Sequence, residues 1–262
     1  MTAPATASPA IMDDEEMMRL FKKFHIVTAG TRALEIIGDP AYDSYSFRDV
    51  LVEMLRAQEE GYIQRTSHKR LKAAGLKDPS ATMRALLENP PEEITPQRLA
   101  RLKDTEWIAG PSPLNLVVIG PTGSGKSFLI QALAHNACMQ LLSVKYWRLA
   151  ELATRLDEIR QDIAATNDLV KKISKYHLVI FDDFFTTEIS THATRVLFEI
   201  MEARTGQATA IVSQTGASDW GKFIPNQVTA ESLINRIMHP SMTIALKGEI
   251  NLREKHQPRE IL

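Results

Sequence analysis

Residues Gly120 to Ser127 read Gly-Pro-Thr-Gly-Ser-Gly-Lys-Ser, and this octapeptide limits the folds open to the chain more than any other stretch. It satisfies G-x-x-x-x-G-K-[ST] in full. It follows Asn115-Leu116-Val117-Val118-Ile119, a short, apolar, β-branched run with the character of a buried strand, and leads into a helical stretch from Phe128 to Met139. Strand, glycine-rich turn and helix in that order make a phosphate-binding loop. Gly120, Gly123 and Gly125 let the backbone curl so that successive N–H groups point at phosphate oxygens, and the helix start adds its positive end. Pro121, Thr122 and Ser124 complete the cradle. Lys126 is placed to reach the β- and γ-phosphates, and Ser127 to hold Mg²⁺. A nucleoside triphosphate is the expected ligand.

From here on, apolar strand-like runs alternate with helical ones, the pattern of a parallel α/β sheet covered on both faces. The expected strands are 115–119, 143–147, 177–181, 208–212 and 243–246. The third ends in Leu178-Val179-Ile180-Phe181-Asp182-Asp183, delivering two carboxylates to the carboxyl end of a strand, where open α/β sheets place their ligand crevices. Asp182 is the natural Mg²⁺ partner of Ser127, and Asp183 would orient the attacking water. The fourth strand runs into Ser213-Gln214-Thr215, which assigns Gln214 to sensing the γ-phosphate, although a polar triplet after a strand is commonly an ordinary turn. Arg236, in Leu233-Ile234-Asn235-Arg236-Ile237, is either a surface ion-pair partner or a group that reaches the phosphate of a neighbouring subunit. His239-Pro240 ends that helix.

The amino-terminal part reads as helical up to about Trp107. Ser46 and Asp49 form a helix start, and Phe47, Val50, Leu51, Met54 and Leu55 fall at helical spacing as one buried stripe. Beyond it Arg56, Arg65, Lys69, Arg70, Lys72 and Lys77 outnumber Glu59 and Glu60. Arg65, Lys69, Arg70 and Lys72 are the candidates for contact with DNA phosphates, against the commoner solvated face with ordinary ion pairs. Thr95-Pro96 reads as a helix start, and Gly110-Pro111-Ser112-Pro113 as a linker. The expected organisation is a tail at 1–12, a smaller all-α DNA-binding and assembly domain at 13–109, a nucleotide domain at 110–255 and a tail at 256–262.

With 262 residues, 44% hydrophobic and 24% charged, the chain can build one sizeable core and a companion domain. No run approaches the roughly 18 continuous apolar residues of a spanning helix, so the expected location is cytoplasmic, with no membrane contact. Cys138, the single cysteine, fits a small core residue. A small-molecule kinase would also use a phosphate loop, but no cluster of residues reads as its acceptor pocket.

Several of these segments together resemble one family. Gly120 to Ser127, Val179-Ile180-Phe181-Asp182-Asp183, Ile211-Val212-Ser213-Gln214-Thr215 followed by Trp220, the stretch from Glu231 to Glu249 and the basic amino-terminal segment from Ser46 to Lys77 look like the IstB-like ATPases. These are AAA+ helper proteins of bacterial insertion sequences, related to DnaC-type helicase loaders. The resemblance implies an ATP- and Mg²⁺-dependent protein that assembles as an oligomer on duplex DNA, with ATP sites between subunits, and works with a cognate transposase. Asp183 stands where many AAA+ proteins have glutamate, and its side chain, one methylene shorter, holds water less well, so slow hydrolysis serving as a switch is expected. A replicative helicase loader of the DnaC type is the alternative. The nucleotide roles carry over to Lys126, Ser127, Asp182, Asp183 and Gln214. Arg236 stands where the family has an Asp-Arg pair, here Asn235-Arg236. In the carboxyl-terminal segment Gly248-Glu249-Ile250-Asn251-Leu252-Arg253 replaces the family's Gly-Glu-Ser-Met-Arg with one residue inserted, so Arg253 matches the family's arginine only across that insertion.

Overall fold

The computed structural model describes residues 12–224 and 226–248, so the expected tails, Met12 apart, and Arg253 lie outside the described residues. The chain forms two compact units that divide between Thr66 and Ser67.

The first unit holds α1 (Asp14–Lys23), α2 (Val27–Gly38) and the start of α3 (Phe47–Ala74). Asp13 caps α1 by accepting the Glu16 N–H at 2.7 Å. The expected start of α3 forms a reciprocal capping box: Asp49 Oδ2 accepts the Ser46 N–H at 2.9 Å, and Ser46 Oγ accepts the Asp49 N–H at 3.3 Å. The expected buried stripe does not form. Phe47 is 84% and Leu55 61% exposed, Leu51 is exposed as well, and Val50 and Met54 are only half-buried. Helix α2 instead meets the face of α3 that carries Glu53, Gln58 and Gly61. Arg32 bonds Glu53 at 3.3 Å, the Ala29 N–H donates to Gln58 Oε1 at 3.2 Å, and a Cβ at Gly61 would lie 2.7 Å from Thr28 Oγ1. Residues 47, 51 and 55 are thereby left facing away.

The second unit continues from the last turns of α3 through α4 (Met83–Glu88), α5 (Pro96–Lys103) and α6 (Glu106–Ala109) to β1 (Asn115–Ile119) and α7 (Lys126–Met139). There follow β2 (Val144–Arg148), α8 (Leu149–Glu158), α9 (Ile163–Ile173), β3 (Leu178–Asp182), α10 (Thr191–Ala203), β4 (Ala208–Ser213), α11 (Ala217–Trp220), α12 (Gln227–Met238) and β5 (Ser241–Ala245). All strand pairs are parallel, in the order β2-β3-β4-β1-β5.

Helices α4 to α7 cover one face of the sheet, where Leu86, Leu99, Trp107, Leu129 and Leu133 share a core with Leu116, Val118 and Ile180. Helices α8, α10 and α12 cover the other, where Leu152, Leu197 and Leu233 pack with Val117, Val179 and Ile211. The boundary expected near residue 110 therefore falls inside this unit: residues 83–109 have no core of their own and bury their apolar faces against α7 and the sheet. Thr95 does cap α5, with Pro96 in its first turn, and Cys138 is fully buried, its thiol pushed up to about 11 by burial. Strands β2 and β3 lie one residue later than expected, since Ser143 is engaged with the His177 ring at 2.6 Å and the ladder begins after it. No helix among the described residues is long and apolar enough to cross a membrane.

Arg204, just past α10, is 2% exposed and has no carboxylate partner among its bonds. Its guanidinium donates instead to the carbonyls of Ile173, Tyr176 and Ala208, to Gln207 Oε1 and to Thr209 Oγ1, joining the end of α9 to the start of β4. Burial pushes its pKa down to about 9, still above neutral, so the group stays charged in the fold. Arg204→Ala strands these acceptors, and we expect a loss of about 3 kcal/mol, read as a melting temperature lower by roughly 6–12 °C.

Candidate nucleotide site

The glycine loop leaves β1 and enters α7 as the spacing requires. Gly120, Gly123 and Gly125 take φ of 156°, 82° and 85°, conformations that side chains with a Cβ rarely adopt. At Gly120 space is the second constraint, because a Cβ would lie 2.3 Å from the Leu246 carbonyl oxygen. The chain beyond β5 passes over the loop: the Leu246 N–H donates to the Ile119 carbonyl at 2.8 Å, and a Cβ at Gly248 would meet the Pro121 ring at 2.7 Å. Lys126 is nearly buried, and its Nζ donates to the Pro121 carbonyl at 2.7 Å. Ser127 is half-buried at the first turn of α7.

Sheet order brings the acids to this loop. Strand β4 pairs with β1 on one side and β3 on the other, with Ile119 opposite Ser213 and Phe181 opposite Ile211. The ends of β1 and β3 are thus one strand apart, about 10 Å from the strand spacing. Asp182 ends β3 with 2% exposure; its Oδ1 accepts the Asp183 N–H at 2.8 Å and its Oδ2 accepts the Tyr146 hydroxyl at 2.5 Å. Asp183 turns left-handed at φ 51°, which ends the strand, and its Oδ2 stands 3.7 Å from Arg148 Nε. Hydrogen bonding with Tyr146, joined by the Asp183 charge, holds the Arg148 guanidinium above its ordinary range.

The turn after the acids is fastened to β4. The Phe184 N–H donates to the Val212 carbonyl at 2.8 Å, and Ser213 Oγ donates to the Phe184 carbonyl at 2.9 Å. Trp220 closes the arrangement, with its indole N–H 3.0 Å from Ser213 Oγ and its ring edge-on to Phe184 at 4.9 Å between centroids. One residue further, Gln214 Oε1 accepts the Thr122 hydroxyl at 3.0 Å, so the proposed sensor touches the glycine loop.

The structure does not bring every candidate to this crevice. Arg236 is on α12, where it pairs with Glu202 Oε1 at 3.2 Å and lies over the Phe198 ring at 4.7 Å. Arg65 donates to Thr28 Oγ1, and Lys69 and Lys72 are exposed. Arg70 departs from the expected basic face: it is half-buried, lies near Cys138 and His177, and its Nη1 is buried without a hydrogen-bond partner. Ser213 and Trp220, which had no role of their own in the sequence but lie in or just after the family-like segment from Ile211 to Thr215, join the site through their side chains; Tyr146 joins it with no signal in its strand pattern.

Two observations test the fit of triphosphate and cation. Ser124 Oγ in the loop and Thr215 Oγ1 beyond β4 are buried with no hydrogen-bond partner, on the two segments that Thr122 and Gln214 join. Among the described residues no three His, Cys, Asp or Glu side chains could hold a metal by themselves. A single carboxylate, Asp182, and the Ser127 hydroxyl are hard oxygen donors of the kind Mg²⁺ takes alongside phosphate oxygens. The residues fit both groups.

Fold and site together define a P-loop α/β domain of the AAA+ kind. The likeness extends to solved structures: the DnaC helicase loader, with 16% identity over 64% of this chain and 98% of that one, and DnaI, with 19% identity over 67% and 94%, both at a TM-score of 0.52. At those identities the likeness concerns the fold. The sequence profile of the IstB-like ATP binding protein family matches residues 25–259, and the chain belongs to that family. Among its relatives, the insertion sequence ATP-binding protein y4uH of Sinorhizobium fredii is 32% identical over 73% of this chain and 76% of its own length. The IS1162 ATP-binding protein of Pseudomonas fluorescens is 28% identical over 70% and 78%.

Gly120→Ala should cost about 2–3 kcal/mol from the forbidden approach to Leu246, measured as a lowered urea midpoint at unchanged slope. Gly206→Ala, where a Cβ meets nothing within 4 Å at φ 81°, should cost about 1 kcal/mol from backbone strain alone.

Proposed function

We propose that the chain is an ATP-hydrolysing helper of a transposase, which assembles on duplex target DNA in its ATP-bound form and loosens on hydrolysis. The observation that carries the reading is the meeting, at adjacent strand ends, of the glycine loop, the Asp182–Asp183 pair and Gln214. The names of its relatives, ATP-binding proteins of insertion sequences, support the partner assignment.

In this reading the loop N–H groups and Lys126 bind the phosphates, with the Lys126 ammonium exchanging the Pro121 carbonyl for phosphate oxygens. Ser127 and Asp182 hold Mg²⁺, which when bound would neutralise charge developing on the phosphate oxygens. Asp183 orients the water, and its side chain, one methylene shorter than glutamate, suits slow turnover. Gln214 exchanges Thr122 for the γ-phosphate and so couples nucleotide state to the end of β4. Arg236 reaches a neighbouring subunit's phosphate only after giving up Glu202. Arg65, Lys69 and Lys72, at i, i+4 and i+7 on α3, contact the DNA backbone. Binding of this kind follows phosphate charge and not base sequence.

Lys126→Ala should abolish ATP binding, whereas Asp183→Ala should leave affinity within about threefold and slow hydrolysis by roughly 10²-fold or more. Equal affinity in wild type and Lys126→Ala would overturn the site assignment. Three phosphate contacts per subunit predict that ATP-dependent retention of duplex DNA falls by roughly 40-fold per subunit between 50 and 200 mM salt. Retention that needs no ATP, or that does not respond to salt, contradicts the reading. ATPase stimulation by single strands but not by duplex would favour the loader function instead.

A further inference from the structure

Asp182 is a buried carboxylate, and each of its oxygens takes one donor. The Asp183 N–H on Oδ1 is backbone and would be supplied by almost any residue at that position. The Tyr146 hydroxyl on Oδ2 depends on one side chain. Tyr146 is 4% exposed, with its ring in the core beneath α7. In the β2–β3 register it pairs with Ile180, and Arg148 pairs with Asp182. Side chains two residues apart share a face of the sheet, so Tyr146 and Asp182 are diagonal neighbours on one face, a separation that a phenol spans and a shorter side chain does not.

A carboxylate oxygen has two lone pairs, so after these two bonds each oxygen of Asp182 retains one for a cation. We propose that Tyr146 is a positioning residue for the metal-holding carboxylate: its hydroxyl fixes the plane of Asp182, so that the acid meets Mg²⁺ already oriented. The inference rests on the proposed metal role of Asp182. It gives the edge strand β2, whose Arg148 already pairs with Asp183, a second part in the site. Groups that orient a metal ligand commonly set metal affinity by one to two orders of magnitude. The Tyr146 ring supplies packing, and the hydroxyl alone supplies the orientation, so the two contributions separate in Tyr146→Phe.

The test titrates Mg²⁺ into the full chain with a fluorescent ATP analogue and repeats the binding in EDTA. Tyr146→Phe should raise the Mg²⁺ concentration at half-maximal binding by about 10- to 100-fold and leave affinity in EDTA within about twofold. The double variant Tyr146→Phe/Asp182→Asn should show no rise beyond that of Asp182→Asn, since the hydroxyl reaches the cation through that acid, whereas its other partner, Arg148, pairs with Asp183, which is not proposed to hold metal. A Mg²⁺ midpoint within twofold of wild type, or additive effects in the double variant, overturns the positioning role. A lowered melting temperature with an unmoved midpoint also overturns it, by leaving the hydroxyl a packing role. If wild type fails to bind the analogue, or Lys126→Ala binds it equally, the nucleotide-site reading fails first, and the two failures stay distinct.

Discussion

Everything at the crevice depends on the pairing of β4 with β1 on one side and β3 on the other. Because the strands are parallel, this pairing collects three carboxyl-terminal ends at one edge of the sheet: the glycine loop after Ile119, the acids after Phe181 and the polar segment after Val212. A buried asparagine pins the register. Asn115 Oδ1 accepts the Thr209 N–H at 3.1 Å and its Nδ2 donates to the Ile237 carbonyl at 3.0 Å, tying the start of β1 to β4 and to the end of α12. A slip of one residue would turn Val117 and Val118 to opposite faces and strand that amide, so register and site geometry are fixed together.

The acid turn stores strain. Asp183 and Phe185 both have positive φ, at 51° and 49°, and cost about 1–3 kcal/mol each. They persist because Phe184 between them is held at both its N–H and its carbonyl by β4, and because Phe184, Phe185 and Trp220 fill the space beneath α10 and α12. The strain is local to the residue proposed to orient water. A group that must hold one direction gains from a backbone that cannot relax.

Much of this site was legible in the sequence, because its parts have few substitutes. Only glycine tolerates the φ of Gly120, Gly123 and Gly125 at low cost, and a run such as Leu178 to Phe181 ending in two acids has one natural place in a parallel sheet. The strands and the helix starts at Ser46 and Thr95 came from pattern and capping chemistry alone. What escaped were decisions made between distant residues. The core of residues 83–109 is completed by α7 and the sheet, so the Gly110–Pro113 cluster read as a domain linker when it is a loop within one unit. Phe47, Leu51 and Leu55 have the spacing of a buried stripe, but α2 docks on the polar side of α3. Arg70 sits within a basic run and yet is half-buried, with its Nη1 out of contact with solvent. The hydroxyl of Tyr146 finds Asp182 across a strand pair, a contact that spacing within β2 does not encode.

The central physical claim is that the glycine loop and the aspartate ending β3 hold one triphosphate and one divalent cation together. Pulsed electron paramagnetic resonance of Mn²⁺ added with ATP measures this directly, through the coupling of the metal to phosphorus. A single shared site predicts phosphorus couplings in the wild type and at least a tenfold weaker Mn²⁺ affinity in Asp182→Asn, about 1.4 kcal/mol, with ATP affinity in EDTA retained. Mn²⁺ bound without phosphorus coupling, or bound equally well by Asp182→Asn, would contradict it.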